Sequence, residues 1–305
     1  MLQNMLSVSG DVATLFLMMA VGFLLRKIKK LPSEVLPAIT FLLLYVVTPC
    51  LMVNAMQVER SAELLSQMGV TAAAGAVYFA AAIPVALLFY RKKEPETRSV
   101  LRFGSVYMNN AFMGIPLAAA VLGPESALPA SVMLVFVGVM QWTAGIAIVG
   151  GRPSLKKTFL NPGIIGFAVG IALFSLKITL PRPIAAASSN LASMNTPLAM
   201  VVIGAQMADA DILGLFREKS LYLAALLKLV VFPGALALLL LPLSLPPIVY
   251  ATVVLLCATP TAAITSMFAQ MFGRDTECSS RVVSLTTLCS IVTLPVFAVL
   301  VRGWL

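Results

Sequence analysis

The 305-residue sequence contains no histidine. That absence removes the side chain most often used as proton shuttle, metal ligand and general base near neutral pH, and it excludes the His-Glu-x-x-His helix of metalloproteases. Charge is scarce, at 11% of residues, and the apolar runs hold no pair of aspartates that an intramembrane protease would need. The four cysteines, Cys50, Cys257, Cys278 and Cys289, follow no metal or redox spacing and read as small packing residues. Nothing calls for a metal or a cofactor. Long polar tracts and low-complexity linkers are missing too, so no stretch is set aside for a soluble domain.

What is present is apolar. Hydrophobic residues make up 60% of the sequence and mean hydropathy is +1.00, the composition of an all-α polytopic membrane protein. A hydrocarbon core of about 30 Å takes roughly 20 apolar residues as helix. Ten such windows can be placed, near 8–25, 35–56, 66–89, 100–122, 128–149, 162–178, 185–208, 219–241, 247–272 and 279–301. The net charge of +9 is distributed as a topology signal. Basic residues follow the odd-numbered windows: Arg26, Lys27, Lys29 and Lys30; Arg91, Lys92, Lys93, Arg98 and Arg102; Arg152, Lys156 and Lys157; Arg217 and Lys219; Arg274 and Arg281. The opposite side holds Arg60, Lys177, Arg182 and Arg302. The positive-inside rule places the richer loops in the cytoplasm and both termini outside it, in a multi-pass protein of the cell (inner) membrane. Nucleic acid is excluded as a partner. The first window has its basic residues behind its apolar core, the reverse of a secretory signal, and is expected to be retained as a helix.

Two windows are interrupted. The first break reads Tyr107-Met-Asn109-Asn110-Ala-Phe-Met-Gly114-Ile-Pro116 and the second Cys257-Ala-Thr259-Pro260-Thr261. Amides, Gly and Pro within a span free backbone groups, which lipid does not satisfy, so such breaks line a cavity or pack against protein. Landmarks recur along the chain: Gly22 and Gly170, Thr48-Pro49 and Thr196-Pro197, Pro84 and Pro233, Asn109 and Thr259, at offsets of 148, 148, 149 and 150. Five spans per half is an odd number, so residues 1–150 and 151–305 are expected to insert with opposite orientation as an inverted repeat. The breaks then fall in equivalent spans, the fourth and ninth. Half-helix N-termini meeting near the midplane make an anion site without a buried cation, the arrangement of alternating-access carriers.

The stretch Asn110-Ala-Phe-Met-Gly-Ile-Pro116 resembles the Asn-x-x-x-Met-Gly-Ile-Pro segment of the plant PIN-formed auxin exporters. Pro260 through Phe268-Ala269 to Thr286, Ser290 and Pro295 is similar to their ninth and tenth spans, and Lys228 before Pro233 to a basic residue of their eighth. The resemblance covers essentially the whole chain, which is identified as a bacterial-type member of the auxin efflux carrier family, within the bile acid and auxin transporter group. It implies scaffold and transport domains each drawn from both repeats, elevator-like movement, and a substrate carboxylate held by Asn110, Pro260 and Thr261. Asn109 stands where the plant proteins have Pro, Thr261 where they have Gln, and the connection 150–161 is too short for their regulatory loop. By resemblance, the substrate is a small organic anion moved as efflux, a dicarboxylate such as malate or malonate ahead of an auxin-like carboxylate. A homodimer is an open expectation.

Several residues keep two readings. Asn109, Asn110, Thr259, Pro260, Thr261 and Lys228 are the substrate-binding candidates. The amides could instead bond between helices, Pro260 could be a plain kink, and Lys228 is either a functional intramembrane charge or a cap on carbonyls freed by Pro233. Asn195, Gln206 and Asp209 form a candidate cation or proton site, against a solvated end of the seventh span for Asp209 and Asp211. Pro49 and Pro197 read as gating or packing kinks. On function, an organic-anion carrier stands against an anion channel or a receptor-like protein on the same bundle. A channel would want rings of charge or carbonyl filters, which the sequence does not display.

Overall fold

The computed structural model describes residues 2–59, 61–209 and 218–303; Arg60, Asp211 and Arg217, used above for topology and site, lie outside them, as do Met1 and Leu305. Twelve helical segments account for most of the described residues. They are α1 (Leu2–Lys27), α2 (Val35–Ala55), α3 (Ala62–Leu88), α4 (Pro95–Val106), α5 (Asn110–Leu122), α6 (Pro124–Ile148), α7 (Pro162–Ser175), α8 (Arg182–Ala208), α9 (Lys219–Leu243), α10 (Pro247–Cys257), α11 (Ile264–Met271) and α12 (Thr276–Arg302). Six of them, α2, α3, α6, α8, α9 and α12, are long and apolar enough to cross a membrane. The chain is an all-helical, membrane-embedded, multi-pass protein. Exposed Leu17, Leu24, Phe41, Leu88, Leu238, Val292 and Val296 give the bundle the apolar outer surface that lipid requires.

Local sequence explains where helices begin. Ser61 Oγ accepts from the N–H of Leu64 (3.1 Å), Asn161 Oδ1 from Gly163 (2.9 Å) and Asp275 Oδ1 from Cys278 (2.8 Å), each satisfying an orphan first-turn donor. Proline shapes the interiors. Three wide turns, Leu43–Val47, Asn110–Gly114 and Leu227–Val231, sit directly before Thr48-Pro49, Ile115-Pro116 and Phe232-Pro233. A proline ring clashes with the carbonyl four residues back and donates no hydrogen bond; widening the preceding turn to a π geometry relieves the clash without ending the helix. The helix of the sixth window is short: α7 has 14 residues, roughly 21 Å at 1.5 Å per residue. It is fixed at its start by the Asn161-Pro162 cap, and it ends ahead of Lys177, which has a left-handed backbone at φ 57°.

Packing sorts the helices into two groups. In the first, α1 lies along α8, while α2 packs on α7 and on the first half of α8. The α1–α8 crossing depends on glycine: a Cβ on Gly22 would overlap the Val201 carbonyl, and one on Gly204 the Met19 carbonyl. Small residues that let backbones touch are how helices associate where water provides no hydrophobic drive. In the second group α3, α4, α6, α9, α10, α11 and α12 enclose the two breaks, with α12 touching α4, α9, α10 and α11. The groups meet where α1 passes α5 and α12, where α8 packs against the opening turn of α5, and where α6 touches α2 and α7. At that seam Arg302 on α12 pairs with Asp11 on α1 at 3.7 Å.

Candidate functional site

The two interruptions meet. Between α4 and α5 the backbone runs extended through Tyr107 (φ −89°, ψ 125°) to Asn109, and Met108 forms an antiparallel bridge with Thr261 between α10 and α11. Asn109 N–H donates to Pro260 O and Ala262 N–H donates to Tyr107 O, both at 2.9 Å. Each break therefore satisfies part of the other's backbone in a place with no water. The sequence suggested freed groups on both strands. The structure shows that a good share of them are consumed in the crossing itself.

The carbonyls a continuous helix would offer across the breaks are also engaged. Val106 O accepts from Tyr78 Oη at 2.6 Å. Cys257 O accepts from Lys228 Nζ at 2.7 Å. Leu256 O accepts from both Thr259 N–H (3.2 Å) and Thr259 Oγ1 (2.7 Å). The acceptors four residues before Asn110, Ala111 and Thr261 are thus taken, and α5 and α11 each start as fresh helices whose first N–H groups look for partners elsewhere. Thr261 N–H, in the strand ahead of α11, finds Thr286 Oγ1 at 3.2 Å.

Side chains divide sharply. Thr259 is fully buried with its hydroxyl proton given to Leu256 O, and Thr261, equally buried, gives its own to Gly104 O at 2.7 Å. Both are committed within the protein, as is Lys228. Asn109 is 7% exposed, and its backbone carbonyl receives the N–H groups of Met113 (3.1 Å) and Gly114 (2.9 Å), so it fixes the first turn of α5. Asn110 is different: it is 2% exposed, and neither Oδ1 nor Nδ2 has a hydrogen-bond partner. Gly114 makes room for it, since a Cβ there would come within 3.1 Å of Asn110 Oδ1 and 2.6 Å of a Leu256 methyl. A buried amide that nothing satisfies stands at the N-terminal end of α5, where the helix dipole favours an anion.

Around the crossing stand aromatic side chains to which the sequence assigned no role. Tyr107 stacks on Phe103 with ring centroids 4.2 Å apart and donates from Oη to Met140 O at 2.9 Å. Phe268 packs against Phe103 and Trp142, making an apolar wall. Hydropathy does not distinguish such aromatics from ordinary core.

Two expectations need correction. Lys228 does not cap carbonyls freed by Pro233; it reaches across to α10 and ties off the last carbonyl before the second break. Asn195, Gln206 and Asp209 do not form one site. Asn195 opens the 14-residue second half of α8 and Asp209 follows its end, about 21 Å along the axis. Asp209 is exposed and faces Arg26, whose Nε lies 2.8 and 2.9 Å from its two oxygens. Gln206 is exposed. Asn195 is buried, with Nδ2 unpartnered, in the half of α8 that packs against the opening turn of α5. All four cysteines are free thiols.

Comparison with known proteins adds two findings. The family described as membrane transport protein matches residues 7–154 and 151–298. A protein of Rhizobium meliloti (strain 1021) bearing the name "Putative malonate transporter" is 26% identical over 316 residues, spanning 98% of this chain and 97% of that protein.

Proposed function

This chain belongs to the membrane transport protein family, the family of the auxin efflux carriers, and we propose that it is a secondary carrier of small dicarboxylates, malonate first among them. It is a membrane transporter. The observation that carries it is Asn110, a buried, wholly unpartnered amide beside the first N–H groups of α5, at a crossing of two broken helices. A carboxylate placed there accepts from Nδ2 and from the helix end at once. The name borne by the Rhizobium relative supports malonate.

In this reading α4–α5 and α10–α11 are single interrupted spans, which brings the count to ten. The matched segments 7–154 and 151–298 support a five-plus-five inverted repeat. The group α1, α2, α7 and α8 is the scaffold, and the group around the crossing is the transport domain. The latter slides past the former as an elevator, along the seam where α5 meets α1 and α8, and delivers substrate outward. Lys228, Thr259, Thr261 and Pro260 shape the site, and Asn110 is the side chain left to meet the ligand. The test is exchange in proteoliposomes. Vesicles loaded with malonate should take up labelled malonate in a saturable manner, with unlabelled malonate outside competing and tartrate-sized or uncharged compounds failing. Uptake that never saturates would point to a channel and overturn the carrier reading.

A further inference from the structure

Two hydrogen bonds described above stand in the same relation to the two breaks. Tyr78 on α3 donates to Val106 O, at the end of α4; Lys228 on α9 donates to Cys257 O, at the end of α10. Tyr78 and Lys228 are 150 positions apart and their acceptors 151, matching the spacing of the sequence landmarks. Both donors are buried, at 2% and 0% exposure. Each comes from the span preceding its broken helix and closes the carbonyl that the break leaves open. The chemistry of the two is not the same. Tyr78 is a phenol, whereas Lys228 is, among the described residues, the only lysine, arginine or carboxylate side chain that is buried.

The ends of α4 and α10 are C-termini, each carrying about half a negative charge toward the crossing. Left bare, they would oppose the two N-termini that favour an anion. A donor on each removes that opposition, and an ammonium group at the end of α10 reverses it, in the position where a helix dipole stabilises a cation. We propose that Tyr78 and Lys228 are a repeat-related pair of positioning residues for the crossing, and that Lys228, held as an ammonium by the Cys257 carbonyl and the C-terminal dipole of α10, supplies the positive charge by which the site prefers a dianion to a monoanion. The proposal rests on the reading of the crossing as an anion site. It extends that reading by assigning charge selectivity to a side chain that does not touch the ligand.

The experiment uses purified full-length protein and two probes of one skeleton, malonate and monomethyl malonate, titrated by calorimetry. A unit charge about 10 Å away, at an effective permittivity of about 20, changes affinity roughly 15-fold per ligand charge. Lys228→Met is therefore expected to weaken malonate about tenfold more than its monoester, erasing most of the preference for the dianion. Lys228→Arg should preserve that preference. Tyr78→Phe should weaken both probes by the same few-fold, leaving their ratio intact. Should Lys228→Met fail to fold, Lys228→Gln serves, because its amide still donates to a carbonyl without bearing charge. A malonate-to-monoester ratio unchanged in the uncharged variant overturns the proposal, as does a ratio altered by Tyr78→Phe. Asn110→Ala separates this failure from the larger one. If it weakens malonate while the Lys228 ratio stands still, the crossing is the site and only the charge assignment falls; if it leaves malonate untouched, the site reading falls with it.

Discussion

Replacing Asn110 with alanine should move stability and affinity in opposite directions. In the empty protein the side chain is 2% exposed and neither polar atom is paired. A buried group left unsatisfied is unfavourable by about 1–3 kcal/mol. Alanine removes that penalty but leaves a small void beside Leu256 and Gly114, whose cost is of similar size. The expected net change in the empty protein is therefore near zero or mildly stabilising, within about 1 kcal/mol. The bound state loses a hydrogen bond to a charged ligand, about 1.5–3 kcal/mol, which is roughly a tenfold to hundredfold rise in Kd. Thermal unfolding in detergent, with and without malonate, reads both quantities on one sample, because a ligand held only by the folded state raises its apparent stability. Asn110→Ala should melt at or slightly above the unsubstituted protein when empty, and should gain far less from saturating malonate. A variant that melts well below the parent when empty, yet gains the same increment from malonate, would show the amide to be structural and refute the argument.

Further outcomes follow from other parts of the fold. Gly204→Leu forces a side chain into the Met19 carbonyl, so it should abolish a monodisperse peak in size-exclusion chromatography, while Gly69→Leu, where a Cβ meets open space, should not. Asp209→Asn should leave malonate exchange and its sodium and pH dependence unchanged, because an ion pair whose partners are 20% and 47% exposed contributes about 0–1 kcal/mol. Pro260→Ala should weaken malonate by more than Asn110→Ala, since alanine lets the helical ladder of α10 continue and draws back the crossing strand. Reporters after Lys156 and Arg274 should report from the cytoplasm and tags at either terminus from outside; opposite locations for the two termini would remove the inverted repeat.

The positions of the breaks were legible because proline and amides inside an apolar run have so few physical excuses. Asn109–Asn110 and Thr259–Pro260 could be found from composition alone, whereas the wide turns could not, since Pro84 and Pro295 sit inside helices without one. Nor could the partners of the breaks. That Met108 would face Thr261, and that Lys228 would reach Cys257 rather than the carbonyls near Pro233, depends on how α9 lies against α10. Hydropathy reports burial but not azimuth. Asn195 and Asp209 share polarity and a helix, but 14 positions separate them by about 21 Å along its axis. Tyr78 gave no signal, since one tyrosine in a span looks like any core aromatic until its hydroxyl is seen to donate.

The bridge between Met108 and Thr261 bears on how the protein is made. Synthesis delivers Tyr107 to Asn109 about 150 residues before Pro260 to Ala262. Throughout that interval the first break has no partner strand, and Tyr107 O and Asn109 N–H sit in a translocating chain without the groups that will satisfy them. Contacts of such long sequence separation close late, so the nascent first half must wait at the insertion machinery, or hold water at its break, until the second arrives. Either half expressed alone should be a chaperone client rather than a stable domain. Split into two polypeptides at 150–161 and produced together, the halves should rescue each other, because each carries the strand the other lacks.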